Sequence, residues 1–187
     1  MRLLIDVGCN VLQGFKKLLS IERITTKDKK IFVEANPECW EYLELALSTV
    51  ENSYLIKKAL DTSCGTAELI TRADNKTDMA ATIVGKHFIE RSLDKWNIKV
   101  RDFNTYKIPT TTLEEIINSH RNQYESVILK LDAEGVEYSI LEQIIQNNLP
   151  IDKIYCEFHI HNEDDEKRRQ NLIRKLEARN ITVCDWE

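Results

Sequence analysis

Short apolar runs alternate with stretches whose apolar residues recur at helical spacing. Leu3-Leu-Ile-Asp-Val7, Ile31-Phe-Val-Glu34, Tyr54-Leu-Ile-Lys-Lys-Ala59-Leu60, Val127-Ile-Leu-Lys-Leu131, Ile154 to His161 and Ile181-Thr-Val-Cys184 read as strands. Phe15 to Leu19 start a short helix. Trp40, Leu43, Leu47 and Val50 mark one face of another, opened by Asn36-Pro37-Glu38 with asparagine as N-cap and proline at the first helical position. Thr112-Leu-Glu-Glu115 is a capping-box pattern ahead of Leu113, Ile116 and Ile117. Ile140, Leu141, Ile144 and Ile145 form a helical face that stops before Pro150. Leu172, Ile173 and Leu176 form the last, between the acidic Glu163-Asp-Asp-Glu166 and Asn180. Strands alternating with helices predict an α/β fold: a mostly parallel sheet with helices on both faces. Gly65 turns the chain into an extra edge strand, Thr66 to Thr71.

The pattern fades between Arg72 and Lys107. That stretch is polar, with eight Lys/Arg against five Asp/Glu, a net +3. The whole chain carries −5, so the remainder carries −8. Residues 72–107 are expected to be an insertion forming a lid or acceptor loop, or else a solvated connector with a short helix near Phe88 to Trp96. Residues 1–187 otherwise read as one domain.

Composition excludes several classes. No apolar run reaches about 18 residues, so no membrane span is expected, and the first apolar run is too short for a signal peptide's core. Five cysteines (Cys9, Cys39, Cys64, Cys156, Cys184), odd in number and without C-x-x-C spacing, count against a zinc ribbon or a disulfide framework. They fit reduced thiols in the cytoplasm. The net negative charge argues against nucleic acid as a partner.

Candidate chemistry gathers where strands end. Val127–Leu131 runs into Asp132-Ala-Glu134-Gly135-Val-Glu137, and the other late strand carries Glu157, His159 and His161. In open α/β sheets ligands bind at the carboxyl edge. Side chains two apart on a strand share a side. Neighbouring strands would therefore bring Asp132, Glu157 and His159 together, either as ligands of a divalent cation or as a metal-free, hydrogen-bonded group that positions substrate. Lys130, inside an apolar strand, needs a partner, and pairing with Glu134, Glu137 or Glu157 is expected; substrate contact is the alternative. Asp6-Val-Gly8-Cys-Asn10 suits close backbone approach to a ligand, although it is not G-x-G-x-x-G. Glu34 stands where nucleotide-binding sheets place an acid on ribose hydroxyls, and equally where a helix cap would stand.

Taken in order, Asp6-x-Gly8-x-Asn10, Val33-Glu34-Ala35-Asn36-Pro37, Ala59-Leu60-Asp61 with Gly65, Thr112-Leu-Glu114, Lys130-Leu-Asp132-Ala-Glu134-Gly135-Val-Glu137 and Glu157-Phe-His159 resemble the FkbM-type family of S-adenosylmethionine-dependent methyltransferases. The resemblance implies a Rossmann-like class I methyltransferase fold and O-methylation, frequently of a sugar hydroxyl on a glycan, glycolipid or nucleotide sugar. It implies that Asp6, Gly8 and Asn10 face the methionine portion of the cofactor, Glu34 and Ala35 the ribose, and Ala59, Leu60 and Asp61 the adenine. Asp132 would lie beside the methionine end and the acceptor. A sugar hydroxyl needs a base or a cation to activate it; Asp132 and His159 are the base candidates. The basic insertion would steer an anionic sugar toward the site. Two departures stand out. Val11-Leu12-Gln13 lengthen the loop before Gly14, and the usual antiparallel last strand is expected to be missing, short or supplied otherwise. The alternatives are O-methylation of a non-sugar metabolite, or an inactive cofactor-binding module that partners a glycosyltransferase.

Overall fold

The computed structural model describes residues 1–73, 81–94, 102–120 and 124–186. In chain order the elements are β1 (Arg2–Val7), α1 (Gln13–Glu22), β2 (Lys29–Val33), a 3₁₀ turn (Pro37–Cys39) leading into α2 (Trp40–Leu47), β3 (Ser53–Ile56), β4 (Ala59–Leu60), β5 (Gly65–Arg72), α3 (Lys86–Asp94), β6 (Phe103–Thr111), α4 (Leu113–Ser119), β7 (Ser126–Leu131), α5 (Glu137–Gln146), β8 (Lys153–Cys156), α6 (Glu163–Glu177) and β9 (Thr182–Asp185). The N-caps foreseen in the sequence form: Asn36 accepts from the Glu38 amide at 3.1 Å and Thr112 from the Glu115 amide at 3.1 Å.

Six strands make one parallel sheet in the order β3-β2-β1-β7-β8-β9. The chain builds outward from β1 to one side, then returns to β7 and builds the other way. The order therefore reverses between β1 and β7, which is the switch point where such sheets leave a crevice. Both faces are buried, which is why these strands read as near-continuous apolar runs. Leu3, Ile5, Leu129 and Leu131 face α4, α5 and α6 through Ile116, Ile140 and Leu172. Leu4, Phe32 and Ile128 face α1 and α2 through Phe15, Leu18 and Leu43. The period of two then places Asp6 on the Leu4 face and Lys130 on the Ile128 face, and the register pairs these two residues directly.

Three expectations need correction, and a fourth holds as far as the described residues reach. The single strand expected over Tyr54–Leu60 is two: β3 stays in the main sheet, while β4 turns away to pair with β6 in a small sheet, β4-β6-β5. Residues 103–107, read as insertion, belong to β6, which lies antiparallel to β5 with Arg72 opposite Phe103. Of the helix foreseen near Phe88 to Trp96, α3 covers the first part, and Trp96 lies outside the described residues. The strand expected over Ile154–His161 stops at Cys156, so Glu157, His159 and His161 are not aligned by strand geometry. The last strand, β9, is parallel to β8, with Thr182 opposite Lys153. All five cysteines are free thiols. Among the described residues no helix is long and apolar enough to cross a membrane.

Candidate active site

A cleft of about 290 Å³ opens at the carboxyl ends of β2, β1 and β7. Its floor is the turn after β1. Gly8 has φ +67°, and a Cβ added there would stand 1.8 Å from the Asp132 carbonyl oxygen. The turn after β1 and the loop after β7 thus touch main chain to main chain, which only glycine allows. Glu34, 6% exposed, closes the β2 side. One carboxylate oxygen accepts from the Asn10 amide at 2.7 Å and the other from the Asn36 amide at 2.8 Å. Burial raises this carboxyl above its usual range, and the two amides oppose that shift.

Lys130 ties the two loops together. Its ammonium donates to the Gly8 carbonyl at 2.8 Å, the Val7 carbonyl at 3.2 Å and Asp132 Oδ2 at 3.0 Å, and lies 3.5 Å from Asp6 Oδ1. Its carboxylate partners are Asp132 and Asp6, instead of the Glu134, Glu137 or Glu157 expected from the sequence. Burial works against the charge, but Asp6 and Asp132 hold the ammonium above its ordinary value. Asp6 is itself pushed up by burial, with Lys130 pulling the other way.

The loop leaving β7 is sharply bent. Glu134 has φ +48° and Gly135 φ +111°, so a non-glycine residue occupies the left-handed region. Glu137, fully buried at the start of α5, accepts from the Ala133 amide at 3.0 Å and the Gly135 amide at 3.0 Å. His159 is held between two acids: Nε2 is 3.1 Å from Glu134 and Nδ1 is 3.2 Å from Glu137. Burial disfavours its charge, but the two glutamates override that and push it up to about 11. It is an imidazolium at neutral pH, within ion-pair distance of both glutamates, although Nδ1 makes no well-directed hydrogen bond. Burial pushes Glu134 up to about 7, against the pull of His159. The insertion braces this loop. The Thr82 hydroxyl donates to the Glu134 carbonyl at 2.5 Å. The Phe88 ring lies 5.2 Å from that of His159, and it occupies the space that a Cβ on Gly135 would need.

Gly8, Asn10, Glu34, Ala35, Ala59, Leu60 and Asp132 all line the cleft, as does Glu157. Three residues named from the sequence stand elsewhere. Asp6 is buried behind the floor against Lys130, and Asp61 accepts from the Thr62 amide at 2.6 Å, outside the lining. His159 stands behind Glu134. The trio proposed for a cation is regrouped: among the described residues, Asp132, Glu134 and His159 bring one donor atom each within 4.8 Å of one another, with Glu134 in the place given to Glu157. Sequence reasoning undervalued Glu134, although a glutamate before glycine at a strand exit was its signal. It missed Lys17, Gly14 and Trp186 on the far wall; Trp186 carries no local signal at all.

The family model of the FkbM methyltransferase domain matches residues 6–180. The chain belongs to this family. It is therefore a methyltransferase, and the parallel sheet with helices on both faces is its Rossmann-like fold. No curated protein and no solved structure gives a significant match. Within this FkbM methyltransferase the matched span holds both carboxylate loops and both sides of the β1/β7 crevice, while Trp186 falls beyond it.

Proposed function

We propose that this FkbM-family chain is an S-adenosylmethionine-dependent O-methyltransferase whose acceptor is a sugar hydroxyl on a glycan, glycolipid or nucleotide sugar. The observation that supports the reading is the division of acids along one cleft. Glu34 stands over β2, where an acid suits ribose hydroxyls, and Asp132 with Glu134 stands over β7. The cofactor fits the floor between them, where Gly8 keeps the main chain bare. When bound, it supplies a methyl group already activated on a sulfonium. The chain's own residues then align the acceptor oxygen, exclude water and accept a proton.

Glu134 would take that proton from the acceptor hydroxyl. A group poised near neutrality is suited to this work. His159 was a base candidate from the sequence, but as an imidazolium it has no lone pair to offer, so it holds Glu134 in place. Asp132, fixed by Lys130, orients the hydroxyl. Because His159 directs both ring nitrogens at glutamates, the reading routes no step through a metal. Ala81 and Ile83 carry the insertion onto the cleft, in keeping with a role as acceptor wall or lid.

Calorimetric titration with S-adenosylmethionine and S-adenosylhomocysteine tests the cofactor, and labelled methyl transfer across a panel of glycans and nucleotide sugars tests the acceptor. Binding of neither ligand overturns the reading. Binding without transfer to any acceptor favours the inactive module that partners a glycosyltransferase.

A further inference from the structure

The last paired residues of β7, β8 and β9 lie in one row, Leu131 beside Cys156 and Cys156 beside Asp185. The residue that follows each of them lines the cleft: Asp132, Glu157 and Trp186. Glu157 donates its amide to the Leu131 carbonyl at 2.9 Å, and Trp186 donates its amide to the Cys156 carbonyl at 2.9 Å. The ladder therefore runs one step past the strands and fixes where the side chains of Glu157 and Trp186 leave the sheet. Paired strands lie about 4.8 Å apart, so Asp132 and Glu157 are immediate neighbours and Trp186 closes the row.

Four carboxylates line this cleft, and three are already engaged. Glu34 holds the Asn10 and Asn36 amides. Asp132 holds the Lys130 ammonium, and Glu134 holds His159. Glu157 is half-buried, and among the described residues no hydrogen bond or ion pair engages its carboxylate. Burial and the neighbouring charge of Asp132 push this carboxyl above its usual range, against the pull of His159 and Lys130, as expected of an acid short of donors. An unsatisfied acceptor beside the proposed reacting hydroxyl is placed to read what stands next to that hydroxyl.

We propose that Glu157 is a specificity-determining residue that accepts a hydrogen bond from the hydroxyl adjacent to the methylated one, so that the acceptor is a vicinal diol. This rests on the sugar-hydroxyl reading above. Hydroxyls on adjacent ring carbons can each donate to one of two carboxylates that stand side by side, and Asp132 and Glu157 are such a pair. The reacting hydroxyl takes the Asp132 side, where Glu134 receives its proton. Its neighbour takes the Glu157 side. An acceptor that lacks the second hydroxyl leaves a half-buried carboxylate without a donor. One whose second hydroxyl is already methylated brings an ether with no hydrogen to give. Both are rejected on the same ground, an acceptor oxygen facing no donor. The enzyme thus methylates one hydroxyl of a pair and refuses its own product at the other.

The test is a double-mutant cycle on labelled methyl transfer. The probes are the methyl pyranosides of glucose, galactose, mannose and rhamnose, with the uridine diphosphate sugars of glucose and galactose. Mass spectrometry locates the hydroxyl that wild type methylates. Each accepted probe is then compared with its analogues that lack one neighbouring hydroxyl, for wild type, Glu157→Ala and Glu157→Gln. Removing one particular neighbour is expected to lower the wild-type kcat/KM about 10- to 100-fold, as befits a hydrogen bond to a charged group. Glu157→Ala is expected to lose about as much on the intact probe and to show no further loss on that analogue. Glu157→Gln keeps an oxygen acceptor and loses less; should the alanine variant melt early, the glutamine variant carries the same cycle. All three proteins are expected to bind S-adenosylhomocysteine equally. Independent, additive losses overturn the inference, as do wild-type kcat/KM in Glu157→Ala and methylation of a hydroxyl with none beside it; the sugar-hydroxyl reading survives each of these. Wild type that binds S-adenosylhomocysteine but transfers to none of the probes defeats that reading and this inference with it.

Discussion

Gly8→Ala should be the most damaging single methyl group in this protein. The new Cβ would sit 1.8 Å from the Asp132 carbonyl oxygen and 3.0 Å from its carbon, both backbone atoms that cannot rotate aside. Relief requires the turn after β1 and the loop after β7 to separate by more than an ångström. That movement pulls the Val7 and Gly8 carbonyls from Lys130. Alanine at φ +67° costs about 1 kcal/mol. Overpacking a rigid contact costs about 1 to 3 kcal/mol, and weakened bonds to a buried ammonium about 1 kcal/mol more. The sum is about 3 to 5 kcal/mol, or a fall in melting temperature of about 6 to 20 °C for a chain of this size. Urea and thermal unfolding, read by circular dichroism, measure it. Gly14→Ala is the control. Its Cβ would meet only side chains, at 3.3 Å and beyond, and it should cost less than about 1 kcal/mol. A Gly8→Ala protein within about 1 kcal/mol of wild type would refute the backbone contact and the close approach of the two loops.

Glu134→Gln should lower labelled methyl transfer by about 100-fold or more while S-adenosylhomocysteine titrates as in wild type; near-normal turnover moves the proton to Asp132. Asp132→Asn should also suppress transfer, with a smaller change in stability, because Lys130 keeps Asp6 and two carbonyls. His159 is raised from 6.5 to about 11, so the stability it contributes is fully present below pH 6.5 and is lost as pH climbs through 11. The advantage of wild type over His159→Gln in urea midpoint should therefore shrink steadily between about pH 7 and 10, and a constant difference would contradict the paired imidazolium. Transfer should survive chelator and ignore added Mg²⁺ or Mn²⁺; loss on chelation with recovery on Mn²⁺ would make Asp132, Glu134 and His159 metal ligands after all.

The main sheet was legible in the sequence because strands buried on both faces leave little room for polar residues. Helix starts were legible because Asn36 and Thr112 satisfy amides within three residues of themselves. What escaped depends on partners distant in sequence. β6 mixes Asn104, Thr105, Lys107 and Pro109 with apolar residues, and its pairing comes from β5 along its length and from β4 only at Thr110 and Thr111, partners far from it in sequence. The split of β3 from β4 has no local marker. Lys130 takes Asp6 as partner because the register sets them side by side across 124 residues of chain, a distance no local pattern spans. His159 could not be recognised as a cation, since its two glutamates converge only once α5 begins at Glu137.

Arg72 and Phe103 face each other across the β5/β6 ladder, and the Ala73 amide donates to the Asp102 carbonyl at 3.0 Å. The stretch between them leaves and re-enters the fold at one point, so it behaves as a cassette. Lengthening, shortening or replacing it costs chiefly loop-closure entropy, about 0.6 kcal/mol per doubling, plus the contacts of Thr82 and Phe88. Under the proposed function, a graft there is expected to change acceptor preference and to leave S-adenosylhomocysteine binding as in wild type, which calorimetry checks. A graft that keeps a hydroxyl at position 82 and an aromatic ring at position 88 retains the brace on the Glu134 loop.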